Sequence, residues 1–565
     1  MKYIRFWGLG FILNRDSCIE KAFFLTPETM VLKVAIIGAG VSGLASIKCC
    51  LSEGLEPTCF EKSDGIGGLW QFTEIPERGR NTVYRSVITN TSKEMTCFSD
   101  FPFPEDCPNY LHHSVLLKYL RAYAEHFQLL DHIQFKTTVY SIRKHPDFAS
   151  TGQWVVHTET DGQQASAIFD AVMVCSGSYA EPRLPLDSFP GIEKFKGRYL
   201  HSWEYRDQKE FEGKSVLVIG AGNTGGDIAS EICRTAAKVF LSIRNGTWVL
   251  SRVAVSGWPS DMIFGSRLMT YFQWILPGWI VRRMKAKIFN RWFNHENYGL
   301  VPVQSSWTPV IVNDELPCCI LSGAIVVKPN VTEFTETSVI FKDGTRENNI
   351  DVIIFATGYS ASFPFLEETI QNICDNSVSL YKRIFPPHLE KPTLAIIGFI
   401  AINGSIPPVA ELQARWVTRV FNGLCKIPPA NRMMGEVAKR KKALIKIGFP
   451  MEKDSAKASF VAYMDEIAAC IGVKPNLLLL FLLDPQLALK ILCGPCTPYQ
   501  FRLTGPGKWE QARSAILTEW DRVLKPLKTR VVNNPRHSTA SFWFLALGFS
   551  FLGASLVILK CSSRS

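Results

Sequence analysis

Two short glycine-rich turns carry the clearest chemistry in the chain. The first, Gly38-Ala39-Gly40-Val41-Ser42-Gly43, follows the β-type run Lys33 to Ile37 and opens a helical pattern, LASIKCCLSEG, that stops at Gly54. In such a turn the first glycine permits the tight reversal, the second lets backbone approach a pyrophosphate, and the third allows close packing of helix on strand. The helix N-terminus then supplies N–H donors and a positive dipole end. The next strand, PTCFE, ends in Glu61, 23 residues after Gly38, where a carboxylate can accept hydrogen bonds from a ribose 2′-OH. The same pattern recurs at Lys214 to Ile219 with Gly220-Ala221-Gly222-Asn223-Thr224-Gly225, a helix DIASEICRTA and a strand KVFLSIR. This second strand ends in Arg244, 24 residues after Gly220, and an arginine there accommodates the 2′-phosphate that distinguishes NADP from NAD. Arg252, in VLSR, is a second candidate. The plain alternatives are a ligand-free glycine turn and solvent-facing arginines at a strand end.

Two such units imply two dinucleotides, commonly FAD in the first and the pyridine nucleotide in the second. The fold class expected is α/β, with two Rossmann-like dinucleotide-binding domains, the FAD domain split by an inserted NADP domain. Asp161-Gly162 and Asp343-Gly344 read as hairpin turns, each followed by a buried strand ending in glycine, DAVMVCSG and DVIIFATG. Both strands are expected to return to the FAD sheet. The boundaries that follow are an extension or alternative start at 1–29, a first segment of the FAD domain at 30–205, and the NADP domain at 206–335 with a membrane-associated insertion near 260–300. The second segment of the FAD domain then spans 336–460, a helical region 461–540 and a transmembrane anchor 541–559.

At 565 residues, 47% of them hydrophobic and 20% charged, the chain is large enough for several domains with real cores and too apolar to be disordered. The excess of 62 Lys plus Arg over 51 Asp plus Glu gives +11, which suits phosphate groups or anionic lipid as well as nucleic acid. The 16 cysteines have no disulfide framework and no paired zinc spacing, so a reducing compartment and no metal are expected. Ser541 to Leu559 is 19 residues without a charge, enough helix to cross a hydrocarbon core of about 30 Å, with a buried C-terminal core helix as the alternative. Lys525, Lys528, Arg530 and Arg536 precede it, which places the large body on the cytosolic side. Arg267 to Phe293 mixes Trp, Phe and Leu with Arg282, Arg283, Lys285, Lys287 and Arg291, the composition of a helix lying in a membrane surface; a cytosolic helix capping the core is the alternative. Met1 to Ser17 has the basic start of a signal peptide but too short an apolar run and no cleavage site.

From about Val31 onward the sequence resembles the flavin-containing monooxygenases of the vertebrate microsomal type, also called N-oxide-forming dimethylaniline monooxygenases. The residues that carry the resemblance are the fingerprint Phe195, Gly197, His201 and Tyr205 in FKGRYLHSWEY, the segment IGGLW (Ile66 to Trp70), TNTSKEM containing Asn90, and FATGY (Phe355 to Tyr359). Baeyer–Villiger relatives carry Trp in place of the last Tyr. The resemblance implies an NADPH- and O2-dependent enzyme that N- or S-oxygenates soft nucleophilic amines and sulfides through a C4a-hydroperoxyflavin. It also implies a small lipophilic substrate, a membrane-lipid partner, no nucleic acid, and an endoplasmic-reticulum membrane location with the catalytic body cytosolic; a homo-oligomer is compatible with it. Carried over position by position, Gly38 to Ser42, Glu61, Leu69, Trp70, Asn90 and Thr91 touch FAD, while Thr89, Asn90 and Thr224 to Asp227, including Gly225 and Gly226, touch NADP. Asn90 is the expected catalytic residue, because a neutral amide donates hydrogen bonds without delivering a proton. His201 looks like a base, but its place in a linker favours an organising role.

The sequence departs from the family pattern at CSGSYAEP, at GWPSD (Gly257 to Asp261, for GYPWD) and at HSWEY, near domain junctions rather than flavin contacts. Baeyer–Villiger oxygenation of ketones and uncoupled NADPH oxidation are the alternative activities. Disulfide reduction is a third, raised by Cys493-Gly494-Pro495-Cys496. That pair lies far from either glycine turn.

Overall fold

The computed structural model describes residues 31–530 apart from 78, 180, 303–309, 375–376 and 447–457. Strand β1 (Lys33–Ile37) is buried from Val34 on, as the apolar run of a central parallel strand must be. It enters helix α1 (Val41–Ser52), which is buried from Ser42 to Cys50. Strands β2 (Glu56–Phe60), β3 (Ile133–Gln134) and β4 (Ala171–Val174) follow in the same sheet. The chain then lays down β5 (Arg198–His201), β6 (Ser215–Ile219), helix α2 (Asn223–Ile232), β7 (Lys238–Ser242), β8 (Ile325–Lys328) and β9 (Val352–Phe355). It returns through β10 (Leu394–Ile396) and helix α3 (Ile406–Phe421), which packs on α1. The first sheet has the order β10-β4-β1-β2-β3 and the second β8-β7-β6-β9-β5, every pairing parallel.

The α/β class and the two strand–glycine–helix units are as expected. The path between them differs. Val352–Phe355, expected to return to the first sheet, pairs with β6 and β5 in the second; the returning strand is Leu394–Ile396. The second sheet also takes Arg198–His201, so it reaches beyond both expected limits, 206 and 335. The physical reason is that VIIF is buried at all four positions. A run with no polar face carries no mark of which sheet it joins.

Asp161 and Gly162 turn a hairpin with φ of 49° and 79°, the double positive φ that an Asp-Gly turn supplies. Asp343-Gly344 closes the second hairpin, between Val339–Phe341 and Arg346–Glu347. The basic aromatic segment forms two helices, Arg267–Ile275 and Gly278–Phe289, and leaves Trp274, Ile275, Trp279 and Trp292 exposed. Helix Leu477–Leu483, LLLLFLL, likewise exposes Leu478, Leu482 and Leu483. Among the described residues no helix is long and apolar enough to cross a membrane; the expected span at 541–559 and the extension at 1–29 lie outside the described residues.

Candidate functional site

The first glycine turn is shaped by sterics. Gly38 has φ of 101°, a left-handed conformation that favours glycine, and a Cβ on Gly43 would collide with the carbonyl oxygen of Gly38. Helix α1 therefore sits as close to β1 as a close backbone approach allows. Gly40 is its N-cap and makes no side-chain capping hydrogen bond; Gly222 does the same for α2. Both helices thus begin with backbone N–H groups that no side chain caps, the arrangement that receives an anion. Gly222 has open space where a Cβ would stand. These features fit a pyrophosphate at each turn.

Glu61 is buried at the end of β2 and receives the N–H of Ala39 on Oε2 at 2.7 Å, with Ser63 N and Oγ donating to Oε1 at 2.9 and 2.7 Å. The carboxylate is thereby fixed beside the glycine turn, with lone pairs remaining for a ribose hydroxyl. The 3-10 turn Gly68–Trp70 brings Leu69 and Trp70 next to this turn: a Cβ on Gly68 would stand 3.1 Å from Gly40 Cα. Gly398, which no sequence pattern singles out, closes on the same helix end, since a Cβ there would strike Ser42 Oγ. Its N–H donates to Gln413 Oε1 at 2.7 Å. No local signal marks Gly398; only the fold brings it back.

Asn90 stands where the two units meet. Thr89 is locked to Leu111 by a backbone bond at 2.8 Å and by Leu111 N donating to its Oγ1 at 2.9 Å, and Thr91 Oγ1 pairs with Thr96 Oγ1 at 2.9 Å. Arg252 reaches across from beyond β7. Its Nη2 donates to Asn90 Oδ1 at 2.7 Å, its Nε to the Thr89 carbonyl at 3.2 Å, and its Nη1 to Asp314 Oδ2 at 3.0 Å. Arg252 is 6% exposed. The two arginine candidates therefore separate: Arg252 is spent on Asn90 and Asp314, whereas Arg244 is exposed after β7 with no ion pair among the described residues.

Asp227, on α2, accepts from Tyr84 Oη at 2.6 Å and from Asn313 Nδ2 at 2.8 Å; burial pushes its carboxyl up. Gly225 and Gly226 are buried against Gly220 and Ile311, and Thr224 is half-buried in the first turn. His201 is 3% exposed. Its Nδ1 accepts the Trp203 N–H at 3.1 Å and its Nε2 faces the Gly358 carbonyl at 3.0 Å. It ties β5 to the loop after β9, as an organising residue would.

The segment after Asn90 is held from the C-terminal helices by buried ions. Arg522 donates to both oxygens of Glu94, at 3.0 and 2.6 Å, and Arg502 donates to Glu411 at 2.7 Å, which in turn receives Ser99 N at 2.7 Å. None of this is legible in the sequence. The Cys493/Cys496 pair is divided: Cys493 is exposed, while Cys496 is fully buried, with its thiol pushed up to about 12 by burial. Such a thiol is inert rather than nucleophilic.

Two glycine-capped helices on separate parallel sheets, with a carboxamide at their junction, define an oxidoreductase that works with two dinucleotides. Comparison with known proteins makes the class specific. The flavin-binding monooxygenase-like family model matches residues 31–561. Dimethylaniline monooxygenase (N-oxide-forming) 4 of Homo sapiens is 57% identical over 535 residues, 94% of this chain and 96% of that protein. Dimethylaniline monooxygenase (N-oxide-forming) 2 of Mus musculus is 54% identical, covering 92% and 97%. Among solved structures, S-allyl-L-cysteine S-oxygenase from Allium sativum superposes with a TM-score of 0.58 at 25% identity, over 78% of this chain and 89% of that one. Cyclohexanone monooxygenase from Rhodococcus sp. Phi1, bound to NADP+, shares the fold at a TM-score of 0.55 and 17% identity, over 78% and 97%. The chain belongs to the flavin-binding monooxygenase-like family. It is a flavin-containing monooxygenase with FAD and NADPH as its cofactors.

Proposed function

We propose that this enzyme N- or S-oxygenates small lipophilic amines and sulfides, with Asn90 as the residue that serves the reacting centre. When bound and reduced by NADPH, the flavin supplies activated oxygen to a soft nucleophile. FAD is assigned to Gly38, Ala39, Gly40, Val41, Ser42, Gly43, Glu61, Leu69, Trp70, Asn90 and Thr91. NADP is assigned to Gly220, Gly222, Thr224, Gly225, Gly226, Asp227, Thr89 and Asn90, with Arg244 on the 2′-phosphate. The observation that carries this reading is the position of Asn90, on the first unit yet bonded to Arg252 of the second. Its amide donates without releasing a proton, so it can hold polar atoms in place at the reacting centre.

The enzyme is further proposed to work at the endoplasmic-reticulum membrane with its body in the cytosol. Supporting this are the charge-free stretch 541–559, the exposed Trp274, Ile275 and Trp279 in the segment that also carries Arg282, Arg283 and Lys287, and the exposed Leu482 of helix Leu477–Leu483. Exposed aromatic and leucine side chains, together with basic ones, suit the boundary between headgroup and acyl chain.

The test is NADPH oxidation by the purified full chain in detergent with a tertiary amine, a thioether or a ketone. N-oxide or S-oxide is the expected product. Lactone or ester would move the enzyme to Baeyer–Villiger chemistry, and hydrogen peroxide alone would make it an oxidase.

A further inference from the structure

Asn90 has two ways to place its carboxamide, and only one of them makes it a donor towards the space between the two glycine turns. The structure decides between them. A guanidinium has five N–H donors and no acceptor, so the amide atom 2.7 Å from Arg252 Nη2 must be the oxygen. The amide N–H bonds then point elsewhere, and no described residue accepts from Nδ2. An amide with its acceptor engaged and both donors free, half-buried at the junction of two nucleotide-binding units, is set to receive an acceptor atom from outside the chain.

The arginine cannot rotate away. Asp314 Oδ1 takes its backbone N–H at 2.8 Å and the Ser251 hydroxyl at 2.7 Å, while Asp314 Oδ2 takes Nη1. The carbonyl of Arg252 accepts the Tyr110 hydroxyl at 2.6 Å. The next turn of the Asn90 loop is pinned independently, because half-buried Asp261 receives Ser92 N and Oγ at 2.7 and 2.8 Å. Loop, arginine and carboxylate thus form one fixed unit. The pair with Asp314 also balances the charge, so the site gains orientation without a free cation or a transferable proton.

We propose that Arg252, anchored by Asp314, is a positioning residue that locks the Asn90 carboxamide as an obligate hydrogen-bond donor towards the cofactors. The proposal rests on the assignment of Asn90 to the reacting centre made above.

The test uses the FAD-loaded full chain and two readouts. One is the dissociation constant of NADP+ under anaerobic conditions, read from the flavin absorbance. The other is the share of NADPH oxidation that ends as hydrogen peroxide. Arg252→Gln replaces an obligate donor by a side chain that donates or accepts, leaving the amide free to turn; NADP+ binding is expected to weaken by about tenfold and peroxide to rise. Arg252→Lys keeps an obligate donor and is expected to stay within about threefold of wild type. In an Asn90→Leu background, Arg252→Gln should add nothing, the signature of two residues acting as one. Unchanged binding and coupling in Arg252→Gln, or effects that add in full with Asn90→Leu, would overturn the proposal. Should Arg252→Gln fail to fold, Asp314→Asn, which keeps the arginine but loosens it, is expected to raise peroxide, and an unchanged yield would count against the idea. A wild-type chain that binds neither FAD nor NADP+ would bring down the site assignment and this proposal together. A wild-type chain that binds both, with no effect of Arg252→Gln, brings down the proposal alone.

Discussion

Tyr84, in a loop of the first nucleotide unit, donates its hydroxyl proton to Asp227 on helix α2 of the second, at 2.6 Å. The ring of Tyr84 meets the fingerprint Tyr205 edge to face, with centroids 5.7 Å apart. The fingerprint tyrosine thus acts as a platform under the bond that joins the two units. Tyr84→Phe keeps the platform and removes the donor, leaving one oxygen of a half-buried carboxylate short of a partner, at a cost of about 1–3 kcal/mol. NADP+ affinity is expected to fall by about tenfold with FAD content unchanged. Parallel titrations of the two cofactors check this, and equal loss of both would contradict it.

The glycines of the second turn divide into two kinds. A Cβ on Gly225 would collide with the Gly220 carbonyl, whereas a Cβ on Gly222 meets nothing within 4 Å. Gly225→Ala is therefore expected to lower the unfolding midpoint sharply, since backbone must shift to admit the methyl. Gly222→Ala should fold like wild type, because its φ of −95° suits any residue. It should nevertheless bind NADP+ at least about tenfold more weakly, because the new methyl occupies the approach of the pyrophosphate. Unimpaired NADP+ binding in a folded Gly222→Ala protein would remove the second turn from the site.

By spacing Arg244 is the first candidate for the 2′-phosphate and Arg252 the second, and the structure separates them further. With Arg252 bonded to Thr89, Asn90 and Asp314, Arg244→Ser is expected to reduce kcat/KM for NADPH by about tenfold to a hundredfold while leaving NADH nearly unaffected, since only NADPH carries the phosphate. Steady-state kinetics with both nucleotides decide it. A similar loss with NADH would assign Arg244 a structural role.

The features legible in the sequence are those whose physics is local. A glycine turn between an apolar strand and a helix is specified by six adjacent residues, and Asp161-Gly162 by two. The strand Val352–Phe355 joins the second sheet against expectation because four buried apolar side chains are equally at home in either. Gly398, Asp314 and the Glu94–Arg522 pair are invisible for a different reason: the partners of Asp314 and of Glu94 lie 62 and 428 residues away, and no periodicity encodes such a meeting. The Cys493-Gly494-Pro495-Cys496 motif is the converse case, a local pattern that the fold leaves without chemistry by burying one thiol and exposing the other.

His201 yields a prediction about acid. With Nδ1 accepting from Trp203 and Nε2 donating to Gly358, the ring must be neutral, and burial pushes its pKa down from 6.5 to about 4. His295 is held the same way, accepting the Val249 N–H on Nε2 at 3.0 Å, and also falls to about 4. Below 6.5 the unfolded chain takes up protons that the folded chain refuses, so stability is complete above that value and declines as the pH drops towards 4. For one such histidine the loss between about pH 7 and pH 5 amounts to at most ~2 kcal/mol, and to less where solvent screens the ring. His201→Gln removes the titrating group while keeping an acceptor and a donor, so its urea midpoint should shift less between those two pH values than that of the wild type. The same argument bears on catalysis. A ring that takes its second proton only near 4 is not an imidazolium acid at neutral pH, so neither limb of the pH–rate profile should move in His201→Gln; a displaced limb there would return His201 to the acid–base candidates.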